Sequence, residues 1–175
     1  MGSSAVGDKG GKMNLQLGEK VKPPAGYLKM LVKHPVYAMR DWRLHQRIGE
    51  IRNVAHPHDV AQIFKSTGKD FTYKTESMDK WHLQTKKGKF TGDCEESALA
   101  NRHKAKNLGL SSRLLLCAER KPNAKGHCVL LIDYWVLDCN MPEPVSLEKF
   151  NDMYKLGAIS SPALLGSWHK VIIGE

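Results

Sequence analysis

Acids, cysteines and long apolar runs are all scarce in this chain of 175 residues. Four cysteines with no C-x-x-C spacing are too few for a disulfide scaffold. Cys94, His103, Cys117, His127, Cys128 and Cys139 offer zinc-ligand types, but no pair has the usual short spacing of a zinc site. No stretch approaches the roughly 18 apolar residues of a membrane helix, so no membrane association is expected. Residues 1–22 hold no hydrophobic run before a cleavage site. A reduced, cytoplasmic chain is the expectation, or a secreted or periplasmic one if a leader has been removed. No internal repeat and no long low-complexity segment is visible.

Acidic residues number 18 against 27 Lys and Arg, giving a net charge of +9. Such a surplus suits a polyanionic partner, nucleic acid included, or simply a solvated surface. Most of it lies in residues 80–125, where eleven bases meet four acids, a local charge of +7. Hydrophobic residues make up 41% and charged residues 26%, the balance of one folding domain.

Residues 1–22, rich in Gly, Ser and Lys, read as a flexible tail, with residues 1–12 as added sequence ahead of a start at Met13. Pro23 and Pro24 close that tail, and residues 23–175 read as a single domain. Tyr27 to Val36 is apolar and basic, an ordered arm. Leu44, Ile48, Ile51 and Ala55 recur at helical spacing, and His56-Pro57 breaks the pattern. A second helix is expected over Asp59–Thr67, ended by Gly68, with Val60, Ile63 and Phe64 inward; the His56-Pro57-His58 cluster serves as its start. Phe71-Thr72-Tyr73 is a short extended piece.

Asp93 to Asn107 predicts a helix with good ends. Asp93 suits the N-cap, Glu96 follows at capping-box spacing, and Gly109 lies just beyond the far end. Cys94, Ala98, Asn101 and Ala105 share one face, small enough to let a sheet approach, while Arg102 and Lys106 point elsewhere. Strands are expected within Leu110–Glu119, Gly126–Ile132 and Tyr134–Asp138. A turn centred between Ile132 and Asp133 makes His127 and Asp138 direct cross-strand partners on one face.

These placements assemble a thiol, an imidazole and a carboxylate. Cys94 opens a helix, whose N-terminus and an imidazole partner would lower its pKa from about 8.5. His127 would carry the proton and Asp138 would orient the ring. Each has a plainer reading: Cys94 as a buried structural thiol, His127 as a strand histidine, Asp138 as the start of a turn before Pro142.

Thr91-Gly92-Asp93-Cys94-Glu95-Glu96-Ser97-Ala98, then Gly126-His127-Cys128-Val129-Leu130, then Leu137-Asp138, resemble the bacterial transglutaminase-like cysteine peptidases. Phe71-Thr72-Tyr73 and Asp79-Lys80-Trp81 are similar to that family's aromatic strand and Asp-x-Trp segment. The resemblance spans residues 57–142 and implies an α+β, papain-like core, with a cysteine-bearing helix packed on an antiparallel sheet. It implies Cys94 as nucleophile, His127 as base and Asp138 as orienter, acting on a protein or peptide substrate, an acidic one given the charge. Glu96 and Ser97 stand where the family has Asp and Tyr, Cys128 stands for Ala, and Cys139 precedes Asn140. Trp81 and Gln84 are candidate oxyanion donors beside the main-chain N–H of Cys94. Trp81 also reads as plain core.

Asp93 and Glu95 flank the nucleophile and read as helix caps or as calcium ligands. Two carboxylates would raise the thiol pKa, and a hard cation would cancel that. The resemblance points the same way, since some secreted members that release surface adhesins use the matching pair for calcium. The expected reaction is hydrolysis of an amide or peptide bond through an acyl-enzyme, with no cofactor required. Transfer to an amine is the alternative within the enzyme class. A catalytically inactive basic module for nucleic acid or an acidic protein is the alternative outside it.

Overall fold

In the computed structural model, Asp93 begins the helix that organises everything else. The structure describes residues 13–51, 55–75, 80–84 and 88–174, without the side chains of residues 48–51. The Ile48 and Ile51 side chains, Asp79, Lys86, Lys87 and residues 1–12 lie outside the described residues. Helix α4, Cys94–Asn107, has the expected capping box between Asp93 and Glu96. Gly109 follows with φ of 71°, a left-handed turn that glycine adopts without strain. Ala98, Asn101 and Ala105 are buried as expected. Arg102, expected to point elsewhere, is buried as well, because a carboxylate on another helix receives it.

That carboxylate belongs to Asp41 on helix α2, Pro35–Ile51. The guanidinium of Arg102 grips Asp41 with two hydrogen bonds of 2.8 Å each. Lys106 stands 3.5 Å from the same carboxylate, and the Leu164 N–H donates to it at 2.9 Å. Burial alone would push the Asp41 carboxyl up. Hydrogen bonds from His45, Arg102 and Leu164 outweigh that and hold it well below the usual carboxylate range. The apolar, basic arm is helical: α1, Ala25–Lys33, is pinned by Tyr27, whose hydroxyl donates to the Leu164 carbonyl at 2.7 Å. Helix α3, Pro57–Asp70, begins at Pro57 with the His56 ring accepting from the His58 N–H. It runs past Gly68, which the reading of a glycine stop did not anticipate. Val60 and Ile63 are buried and Phe64 is half-buried against the same core.

Under α4 lies a seven-stranded sheet in the order β1-β9-β8-β4-β5-β6-β7, every neighbouring pair antiparallel. Its strands are β1 Asn14–Val21, β4 Arg113–Glu119, β5 Gly126–Ile132, β6 Trp135–Leu137, β7 Val145–Ser146, β8 Tyr154–Ser160 and β9 Trp168–Gly174. A separate parallel pair joins β2, Phe71–Tyr73, to β3, Phe90–Gly92. Residues 14–21 were expected in a flexible tail. They form edge strand β1 instead, because β9 offers them a free row of main-chain partners. The short helix α5, Leu147–Met153, and strands β8 and β9 have no counterpart in the sequence reading.

The sheet separates two cores. Cys128, Leu130 and Ile132 of β5 pack with α4 and Trp81 on one face. Val129 and Leu131 pack with Leu147, Phe150 and Tyr154 on the other. This two-sided burial explains why β5 reads as a continuous apolar run rather than an alternation.

Candidate active site

The setting of Cys94, the expected nucleophile, is built by its neighbours in α4, β3 and the 80–84 segment. A Cβ at Gly92 would stand 2.5 Å from the Glu96 Cβ, so the position admits only glycine while Glu96 keeps its place. The Glu96 carboxylate accepts the Asp93 N–H at 3.0 Å and the His82 N–H at 2.8 Å. One side chain thus caps α4 and ties residues 80–84 to it. The β2–β3 pair sets Tyr73 opposite Gly92, and the Lys74 N–H donates to the Gly92 carbonyl at 2.7 Å.

The Cys94 thiol is buried at the first position of α4 and donates to Glu95 Oε2 at 2.9 Å. Cys128 of β5 shares the core in which that thiol lies. Burial pushes the thiol pKa up, and the Glu95 hydrogen bond and charge push it further. A depressed thiol was the expectation. The structure corrects it, because the helix N-terminus is matched by two carboxylates that favour the neutral thiol. Burial, then the Asp93 carboxyl, pushes Glu95 up to about 7 and Glu96 up to about 8. Burial also raises Cys117 and Cys139, each to about 12.

His127 and Asp138 meet, with Nε2 and Oδ1 2.7 Å apart. Asp138 is fully buried, and its Oδ1 also accepts the Asn140 N–H at 2.9 Å. The carboxylate engages Nε2, so Nδ1 is the ring nitrogen left for proton exchange. Their register differs from the expected one. Asp133, with φ of 56°, and Tyr134 form the turn, and Ile132 pairs with Trp135. Strand β6 is therefore displaced by two residues, and His127 and Asp138 are diagonal rather than direct neighbours. A two-residue displacement keeps both side chains on the same face, so the contact survives. Asp138 also starts the turn that its plainer reading required, its carbonyl accepting from Met141.

That face is the one carrying α5. The His127 ring stacks on Tyr154 at 5.6 Å, and Tyr154 stacks on Phe150 at 4.4 Å. Cys94 lies on the α4 side, against the next residue of the same strand. The structure joins His127 to Asp138 and Cys94 to Glu95, and the thiol hydrogen is directed at Glu95 rather than at the imidazole.

Trp81 is buried in the α4-side core, edge-on to Tyr27 at 5.2 Å, and Gln84 is half-buried on the same segment. Among the described residues, the metal-ligand types gather as Asp93, Cys94 and Glu95, whose ligand atoms lie within 4.8 Å of one another. Their paired carboxylates fit a hard cation better than zinc. Several bases of the dense basic segment are drawn into separate pairings. Arg102 and Lys106 serve Asp41, Arg113 bonds the Ser160 carbonyl, Lys104 pairs with Asp70 and Arg120 bonds Asn151. No described helix is long and apolar enough to cross a membrane.

Sequence reading missed the Tyr154 platform beneath His127 and the tie from Glu96 to His82. The first has no local signal, since Tyr154 is distant in the chain. The second had half of one, the capping-box spacing. No curated protein matches this chain. A family model described as bacterial transglutaminase-like cysteine proteinase BTLCP matches residues 19–156. That match covers most of the chain, α4 and the His127 strand included, and the chain belongs to the bacterial transglutaminase-like cysteine proteinases.

Proposed function

We propose that the chain hydrolyses peptide or amide bonds through a thioester on Cys94, with His127 carrying the proton and Asp138 orienting the ring. The observation that supports this best is the His127–Asp138 pair, 2.7 Å apart, on the strand whose next residue, Cys128, shares a core with Cys94. The thiol would give up its proton to His127, whose Nδ1 is left open by Asp138. The sulfur would then add to the carbonyl carbon, and the oxyanion would be met by the Cys94 N–H, one of the unpartnered donors of a helix start. Trp81 and Gln84 would add to that hole from the segment held by Glu96. His127 would return the proton to the leaving amine, and water would release the acyl group with His127 as base.

The close carboxylates of Asp93 and Glu95 would hold a calcium ion. Bound there, calcium would offset the negative charge that keeps the thiol protonated.

The test is turnover of a mixed peptide library read by mass spectrometry. Cys94→Ala should abolish cleavage, His127→Ala should cost nearly as much, and Asp138→Asn should cost less. Because the groups act as a unit, the Cys94/His127 double variant should be barely worse than either single one. Cleavage retained by Cys94→Ala would overturn the reading.

A further inference from the structure

A hollow of about 420 Å³ lies between α1 and the 80–82 segment, and Lys29, Lys33 and Lys80 all border it. Its floor is apolar, formed by Gly26, Met30 and Trp81, all buried. Among the described residues no carboxylate lines it, and no acid pairs with any of the three lysines. Arg102, Lys104, Lys106, Arg113, Arg120 and Lys121 are instead committed to carboxylates and carbonyls. Among the described residues, these three face a shared concavity without a carboxylate. A cleft lined by one sign of charge over low-dielectric walls concentrates the opposite charge.

The pocket is tied to helix α4, which begins at Cys94. Trp81 forms its wall, and the His82 N–H, one residue on, is held by Glu96 two residues after Cys94. We propose that the pocket bounded by Lys29, Lys33, Lys80 and Trp81 is a subsite for an acidic segment of the polypeptide substrate. Carboxylates meet the lysines, and the aliphatic part of a glutamate side chain lies on Met30 and Trp81. The proposal rests on the peptidase reading for its purpose. Binding itself does not require a working Cys94.

The experiment measures fluorescence anisotropy of a labelled Ala-Ala peptide flanked by glutamates, and of its glutamine counterpart, on full-length Cys94→Ala protein. The glutamate peptide should bind about tenfold more tightly at low salt, from three exposed ion pairs at roughly twofold each. Lys29→Gln/Lys33→Gln should remove most of that preference. Lys65→Gln/Lys69→Gln, the same charge change on exposed positions of α3, should keep it. Equal affinity for the two peptides would overturn the proposal. So would equal losses in both lysine pairs, which would mean bulk charge alone. Inorganic phosphate displacing the peptide only at molar-scale ionic strength fits an acidic peptide. Millimolar phosphate binding, with no preference for the glutamate peptide, would identify a free-anion site and sink the assignment. A chain that prefers the glutamate peptide but never cleaves any peptide keeps the pocket and loses the Cys94 mechanism, so the two failures are separable.

Discussion

The Cys94 sulfur illustrates how neighbouring charge decides the state of a thiol. A helix N-terminus favours the thiolate, yet Glu95 lies 2.9 Å from the sulfur and Asp93 precedes it. Burial and these acids win, and the thiol rests protonated. Glu95→Gln removes a charge that is present above the Glu95 value of about 7, and should therefore speed alkylation of Cys94 by limiting iodoacetamide at mildly alkaline pH, measured by peptide mass spectrometry. If calcium sits between the two carboxylates, millimolar calcium should speed wild-type alkylation and leave Glu95→Gln unchanged. An identical rate with and without calcium would leave Asp93 and Glu95 as helix caps only. Gly92 carries a second prediction. Its missing Cβ is the space Glu96 occupies, so Gly92→Ala should displace Glu96, weaken the cap and cost roughly 1–3 kcal/mol in urea unfolding. A neutral result would mean that Glu96 has another rotamer of equal energy.

Among the elements, β1 and the β5–β6 hairpin carry the clearest consequences. Strand β1 pairs with β9 along most of its length and places half-buried Leu15 against the α5-side core. Deleting residues 1–21 would expose the β9 edge and should lower the unfolding midpoint and promote association, read by urea titration and light scattering. A tail with no partner would give neither effect. The hairpin explains why a wrong turn still predicted the right contact. Side chains alternate with a period of two, so a two-residue error preserves the face while a one-residue error would have separated His127 from Asp138. Helix α4 is buried on nearly every side, by the sheet, by α3 and by the Asp41 side of α2. That surrounding is why Arg102 points inward where an amphipathic reading sent it out.

For the molecule as a whole, Asp41 is the point where α2, α4 and the 162–164 segment converge. Arg102 reaches both Asp41 and the Pro162 carbonyl, and the Leu164 N–H returns to Asp41. Removing one member of such a group strands a buried charge, so Asp41→Asn should destabilise by about 3–5 kcal/mol at neutral pH. The Asp41 pKa is depressed on folding, so its contribution is fully present above the unfolded value of about 3.9. It is lost as pH falls towards the folded value. Wild type and Asp41→Asn should therefore converge in stability below about pH 4, measured by urea unfolding across pH. A constant gap down to pH 2 would place the stabilisation elsewhere.

Local chemistry made much of this protein legible in the sequence. The capping spacing of Asp93 and Glu96, the breaker at His56-Pro57 and the apolar runs of β4 and β5 are signals carried by neighbouring residues, and the helix and strands they mark are present. Cys94 at a helix start and His127 beside Asp138 followed from the same local rules. What those rules could not supply depends on partners distant in the chain. Edge strand β1 exists because β9 completes it, and eight residues with only two leucines and one valine give no hint of a neighbour some 150 residues away. Arg102 is buried because Asp41 is there to receive it, Tyr154 supports His127 from another strand, and three lysines close on one hollow because α1 folds back beside Trp81. The thiol's protonation was decided the same way. A helix start lowers a pKa by default, but burial and the rotamer of Glu95 are set by packing, and in a low-dielectric interior those terms outweigh the local one.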